Sequence, residues 1–295
     1  MNKSAETATG PHRRPAWRRL VRLLLIVAGT YVVFAVGLML FQRRLIYHPF
    51  NAPSDLLNAI AKSEGFQRWQ NSQGANIGWQ RLSTNRSVVG PVLITHGNGG
   101  HALDRVDLAN GLQRTRSFDV FILEYPGFGD QTGSPSQNSI FAAATEAIGL
   151  LESRGKIFLV GESLGTGVAT YLASTHTQSV AGLLLITPYN NLTAVAQHHN
   201  PVFPMKWMLW DRFPSDKFLR CYDGPVGVLL AGRDEVVPDQ FGQALYDGYH
   251  GPKKLWQDGQ SGHDDIYRRL SAEWWQEVVA FWLQQALAPT EFKAR

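Results

Sequence analysis

The sequence predicts an α/β protein: a mostly parallel sheet with helices on both faces, preceded by one N-terminal transmembrane helix. Three observations predict this. Apolar runs of strand length alternate with helical patterns from Val89 onward, a glycine-flanked turn joins one such strand run directly to a helical run, and an uncharged stretch of 19 residues, Leu23–Phe41, stands near the start. The 295 residues are 44% hydrophobic and 18% charged, a globular composition long enough for one large α/β domain. No internal repeat or low-complexity tract is evident.

Leu23–Phe41 can just cross a hydrocarbon core as a helix, with Arg22 snorkelling to the interface. A cleaved signal peptide is the alternative, with Ala35–Gly37 as a small-x-small site, although more apolar residues follow it. Eight of the 28 basic residues and one of the 24 acids lie in residues 1–44. The remainder therefore carries 20 basic against 23 acidic residues, so no nucleic-acid-binding face is expected. Five arginines precede or enter the apolar stretch and Arg43 and Arg44 follow it, which orients the N-terminus to the cytoplasm and the domain outside it, periplasmic if the membrane is a bacterial inner membrane. The expected organisation is a basic cytoplasmic segment over 1–22, the anchor over 23–41, a linker over 42–55, a catalytic domain over 56–288 with a short insert at about 189–224, and a tail over 289–295.

After the anchor, "FQRWQNSQGANIGWQRL" reads as two strands around a "SQGAN" turn. The following strands are expected at Val92–Thr95, Val120–Glu124, Ile157–Val160, Leu183–Ile186, Val226–Ala231 and Lys254–Trp256. Helices are expected between them, including "SIFAAATEAIGLLESR" and "LGTGVATYLAST". The last helix follows Ser271 as its N-cap and presents Trp274, Val278 and Phe281 at helical spacing. Cys221 precludes an intrachain disulfide by being single, and its setting reads as a small packed residue.

"FLVGESLGTG" places Ser163 between Gly161 and Gly165 at a strand–turn–helix junction. That context is a nucleophile elbow: the turn is tight, and a side chain at either glycine would strike the neighbouring strand or helix. A serine hydroxyl needs a base, and the base needs an orienting carboxylate. Asp234 follows the strand "VGVLLA", and His263 follows the last strand, in the order Ser, Asp, His. Glu235 is the alternative acid. Asp234 could instead cap the following helix, and His263 could be satisfied by Asp264 or Asp265. For an oxyanion, the backbone N–H groups of Asn98, in "HGNGG", and of Leu164 are the natural pair. His96 is read as a structural residue of that loop. Adjacent His198 and His199 point apart and are read as surface residues, so no metal site is expected.

Taken together, "HGNGG", "EYPGFG", "GESLG", "GRDEVVP" and "GHDD" resemble the α/β-hydrolase superfamily. "FQRRLIYHP" and the stretch from Thr187 to Phe213 are similar to single-pass, membrane-anchored α/β-hydrolase domain serine hydrolases, of the kind described as serine aminopeptidase-like or lysophospholipase-like. The resemblance covers nearly all of residues 41–286. It implies Ser163 as nucleophile, Asp234 as acid and His263 as base, with no cofactor. Many relatives place alanine where this chain has Gly99.

The insert before Val226 holds Phe203, Met205, Trp207, Met208, Leu209, Trp210 and Phe213. These either form an apolar rim for an acyl chain, with Trp207 and Trp210 as substrate contacts, or pack on the edge of the sheet. The expected substrate is a carboxylic ester or thioester, either lipid-like given the nearby bilayer or a periplasmic or extracytoplasmic ester from elsewhere. A peptidase using Glu162 or Asp211 to bind a substrate N-terminus, and a non-catalytic membrane-tethered binding protein, are the alternatives.

Overall fold

The computed structural model describes residues 16–85 and 87–287, and the chain divides after Gln42 into two compact units. The expected tail over 289–295 and most of the basic segment before residue 16 lie outside the described residues.

The first unit carries most of helix α1 (Ala16–Ile46). Among the described residues one helix, Trp17–Ile46, is long and apolar enough to cross a membrane by length and composition, with a mean hydropathy of 2.5 in its most apolar window and none of that window buried. It continues five residues past Phe41, into the stretch expected as linker.

The second unit is built on an eight-stranded sheet. Its strands are β1 (Gln67–Gln70), β2 (Asn76–Arg81), β3 (Gly90–Thr95), β4 (Phe118–Leu123), β5 (Ile157–Glu162), β6 (Val180–Ile186), β7 (Val226–Ala231) and β8 (Lys253–Asp258). In space they run β1-β2-β4-β3-β5-β6-β7-β8. The first hairpin is antiparallel and joins β4 antiparallel; every later pairing is parallel.

The central strands are apolar without interruption because both faces are covered. Side chains of a strand alternate between faces, so each run supplies two cores at once. Leu93, Phe121, Leu123, Leu159, Leu183 and Leu185 point to one side, against Ile140, Ala144 and Ile148 of α4 (Gln137–Leu151) and Val168 and Leu172 of α5 (Leu164–Thr175). Val92, Ile94, Val120, Ile122, Phe158, Val160 and Leu184 point to the other, against Leu108 and Leu112 of α3 (Val106–Thr115) and Val278, Val279 and Trp282 of α10 (Ala272–Leu287). Each such side chain removed from water contributes about 1.5–3 kcal/mol, so substitutions here unfold the domain before they touch chemistry.

The face of α10 departs from expectation. Its N-cap is Ser271, whose Oγ accepts from the Trp274 N–H at 3.2 Å. The buried stripe, however, is Trp275, Val278, Val279 and Trp282, with Trp274 and Phe281 flanking it. Two glycines in the partner elements decide this: a Cβ on Gly111 would sit 2.1 Å from the indole nitrogen of Trp275, and one on Gly182 would sit 2.7 Å from Trp282 Cδ1. The indoles fill the space those glycines leave. Cys221 also differs, being exposed: Leu219 and Tyr222 on either side turn inward, leaving Cys221 outside. In the insert, Met205, Leu209 and Phe213 are buried, Phe213 with its ring centre 5.3 Å from that of Phe141, while Trp207 and Trp210 are exposed.

Candidate active site

Parallel strands bring their C-terminal ends to one edge, where ligands gather in open α/β sheets. Ser163 stands at the end of β5, Asp234 three residues past β7, and His263 five residues past β8. Strands β7 and β8 leave the sheet in register, Ala231 opposite Asp258. The Gly232 N–H then donates to the Asp258 carbonyl at 2.8 Å and the Arg233 N–H to that of Ser261 at 2.9 Å. This pairing carries the two loops side by side.

Ser163 is held at φ 50° and ψ −117°, in the left-handed half of the map that a non-glycine residue rarely occupies. The flanking glycines make the turn sterically possible. A Cβ on Gly165 would lie 2.0 Å from the Thr95 carbonyl oxygen, and one on Gly161 would lie 2.7 Å from that of Gly165. The Ser163 N–H donates to the Ile186 carbonyl at 2.9 Å, and the Thr95 hydroxyl to that of Gly165 at 2.9 Å. The serine is thus fixed by backbone on both sides.

Ser163 Oγ lies 2.9 Å from His263 Nε2, and His263 Nδ1 lies 2.7 Å from Asp234 Oδ2. All three residues are buried. A carboxylate can only accept, so Nδ1 carries the hydrogen and Nε2 is left to accept from the serine hydroxyl. The second oxygen of Asp234 accepts the N–H groups of Val236 and Val237 at 2.9 and 2.7 Å, which locks the carboxylate plane. The helix after it, α9 (Asp239–Gly248), takes no side-chain cap from Asp234. Asp265 is engaged elsewhere, accepting from the Gly262 N–H at 2.6 Å. The polar loop before His263 is tied down by Asp258, which accepts from the Gln260 N–H and the Ser261 hydroxyl.

Burial alone would lower the imidazole pKa, but the hydrogen bond and charge of Asp234 outweigh it and hold His263 above the ordinary 6.5. An imidazole accepts a proton only when neutral, so a base role for His263 predicts an acid limb in kcat/KM with its midpoint above pH 6.5. A pH–rate profile checks this, and a limb centred below 6.5 would contradict it.

Leu164 is the first residue of α5, so its N–H has no acceptor within the helix and faces the turn. The loop Thr95–His101 supplies Asn98. Gly97 donates its N–H to Glu162 Oε2 at 2.7 Å, and a Cβ there would strike that carboxylate. Gly100 sits at φ +78°. Gly99 has room for a methyl group, its nearest neighbour being 3.9 Å away, so an alanine is accommodated at that position. His96 is fully buried, stacks on Tyr125 with centroids 3.9 Å apart, and has Nδ1 2.9 Å from the Gly97 carbonyl: a structural role.

The residue before Ser163, Glu162, is buried and accepts from Arg105 Nε at 2.7 Å. Burial would raise its pKa, yet the Arg105 guanidinium overrides this and holds it at about 2. Glu162 therefore stays ionised and links Arg105 to Gly97 beneath the loop. Arg105 escaped the sequence reading; it sits 57 residues from its partner, and no local pattern joins them. Asp211, the other acid considered for binding an amine, is taken by Arg43 Nε at 3.1 Å and the Tyr47 hydroxyl at 3.0 Å. Trp207 and Trp210 present rings to solvent, 77% and 48% exposed, with the Arg43 guanidinium 5.9 Å from the Trp210 ring centre. His198 and His199 are exposed, and no metal-ligating cluster occurs among the described residues.

Similarity to known proteins agrees with this architecture. Residues 90–212 match the family described as alpha/beta hydrolase fold. A protein of Mycobacterium tuberculosis, Rv2307c, is 30% identical over 254 residues, covering 83% of this chain and 89% of its own length. The mouse lysophosphatidylserine lipase ABHD12 is 26% identical over 285 residues, covering 79% of this chain and 71% of its own. Among solved structures, the Pyrococcus furiosus esterase Pf2001 superposes with a TM-score of 0.62 at 14% identity over 82% of this chain and 98% of its own. Est1E from Butyrivibrio proteoclasticus, with ferulic acid bound, gives 0.59 at 17% identity over 74% and 99%. Strand order, an elbow between β5 and α5, and sequence similarity across most of the domain converge on one conclusion: the chain belongs to the α/β-hydrolase superfamily.

Proposed function

We propose that the chain is a membrane-anchored serine hydrolase that cleaves a carboxylic ester or thioester, lipid-like in its acyl or alcohol part. The observation that carries this reading is the hydrogen-bonded line Asp234–His263–Ser163 at the elbow. His263 Nε2 takes the Ser163 proton as Oγ attacks the carbonyl carbon, and the Asp234 carboxylate stabilises the imidazolium that forms. The Leu164 and Asn98 N–H groups receive the oxyanion. His263 returns the proton to the departing alkoxide or thiolate, and a water repeats the sequence on the acyl-enzyme to release the acid.

A lipid-like substrate is supported by the apolar helix that precedes the domain in sequence and by the lipase activity in the name of the mouse relative. Trp207 and Trp210 remain candidate contacts for the acyl portion, being large rings that the core does not enclose. The peptidase reading loses support because Glu162 and Asp211 already serve Arg105, Gly97, Arg43 and Tyr47. The proposed organisation places the N-terminus in the cytoplasm, residues 23–41 in the membrane and the catalytic domain outside.

The test is turnover by the full chain in detergent, with short and long acyl esters and thioesters set against aminoacyl amides. Ester or thioester cleavage without amide cleavage is expected; preferential amide cleavage would reject the substrate class. A C-terminal reporter active only outside the cytoplasm checks the orientation, and a silent reporter would reverse it.

A further inference from the structure

The loop that carries Asn98 is rich in glycine. Gly97, Gly99 and Gly100 surround that residue, and glycines leave the backbone free. An oxyanion donor must nevertheless be placed to within about half an ångström. Besides the bond from Gly97 to Glu162, three hydrogen bonds reach this loop from the last residue of α1 and the chain that follows it. The His48 N–H donates to the Asn98 carbonyl at 2.7 Å, and Asn98 Nδ2 donates to the Ile46 carbonyl at 2.7 Å. The Phe50 N–H donates to the Gly100 carbonyl at 3.0 Å, completing a two-residue parallel pair of His48–Pro49 with Gly99–Gly100. Pro49 falls between the two donors, at the one position where a parallel pair needs no N–H.

This segment is itself clamped at both ends. Beyond it, Phe50 and Ala52 exchange backbone hydrogen bonds with Gly129, each 3.1 Å. Before it, the Tyr47 hydroxyl and Arg43 Nε both reach Asp211 Oδ2. Burial and the adjacent Asp211 push the Tyr47 phenol far above its ordinary pKa, so it remains a donor.

We propose that Arg43–Ala52 is a positioning element of the active site, aligning the Asn98 N–H toward the oxyanion through Ile46, His48 and Phe50. The inference rests on the reading of Asn98 as an oxyanion donor. It makes the stretch leaving the apolar helix a functional part of the catalytic domain rather than a tether.

The test uses the full chain in detergent micelles and the variants Asn98→Ala, His48→Pro and Ser163→Ala. Asn98→Ala keeps the backbone donor and deletes only the side-chain bond to Ile46; His48→Pro deletes the bond to the Asn98 carbonyl. Hydrolysis of p-nitrophenyl butyrate is normalised to the serine titrated by a fluorophosphonate, alongside inhibition by a trifluoromethyl ketone that adds reversibly to the serine and generates an oxyanion.

Loss of alignment should lower kcat per titrated site by roughly ten- to a hundredfold, less than outright removal of a donor, with KM changed less than about threefold. The inhibition constant should rise by the same factor as kcat/KM falls. A merely structural contact would lower melting temperature and titratable sites and leave those two ratios at the wild-type value. If His48→Pro does not fold, Asn98→Ala decides alone, since it removes one half-buried hydrogen bond. A folded Asn98→Ala with wild-type kcat and inhibition overturns the proposal. Turnover persisting in Ser163→Ala removes the underlying reading and this inference with it.

Discussion

Ser163→Ala lowers ester turnover by roughly 10⁴- to 10⁶-fold while the domain stays folded. The size follows from the site's construction. Removing Oγ deletes the atom that lies 2.9 Å from His263 Nε2 in the proposed line. Stability should be preserved or improved. Ser163 sits at φ 50°, where alanine is no more strained than serine, and among the described residues its Oγ bonds only to the imidazole. The check pairs single-turnover kinetics with a melting curve. Residual turnover within tenfold of wild type would remove Ser163 from the mechanism.

Asp234→Asn should cost kcat about 10⁴-fold with little change in KM or fold. The asparagine oxygen can still accept the Val236 and Val237 N–H groups, so the loop keeps its turn. Its amide group then faces His263 Nδ1 as a donor, which forces the hydrogen onto Nε2 and leaves the base unable to accept from Ser163. The loss is one of tautomer, not of shape. The variant should also lose the term that raises the imidazole pKa, so its acid limb should move down in pH. Asp234→Ala adds damage to the turn and should lower the melting temperature as well. Equal activity of wild type and Asp234→Asn would assign the orienting role elsewhere, Glu235 being the neighbouring carboxylate.

The sheet was readable from the sequence because its central strands are buried on both faces and therefore uninterrupted. Val226–Ala231 runs the same length in structure as in pattern, and Leu164–Thr175 is the helix its pattern predicted. The spacing around Ser163 was readable because two glycines are required by contacts under 3 Å, a demand that leaves a mark in any sequence. What escaped was long-range. The side of α10 that faces the sheet is chosen by Gly111 and Gly182, far along the chain, and the tandem tryptophans 274 and 275 offer both alternatives locally.

The stretch Leu45–Ser54 resembled a linker because of its two prolines. In a one-sided parallel pair every second N–H is idle, and Pro49 occupies an idle position, so the proline reports on pairing as much as on its absence. Helix α2 (Ser54–Ser63), which buries Leu57 and Ala61, follows at once and begins two residues inside the expected linker. The Glu162–Arg105 pair shows the same limit: the sequence leaves the carboxylate next to Ser163 open to a substrate, and its partner lies 57 residues away.

The central claim is that Ser163 Oγ is the attacking nucleophile, with His263 as its base and Asp234 orienting the imidazole. It is tested most directly by treating the full chain in detergent with a fluorophosphonate and mapping the adduct by peptide mass spectrometry. A single phosphonylated site at Ser163, absent in Ser163→Ala and formed at least a hundredfold more slowly in His263→Ala, is the result expected. An adduct on any other residue, or labelling of Ser163 that does not depend on His263, would contradict it.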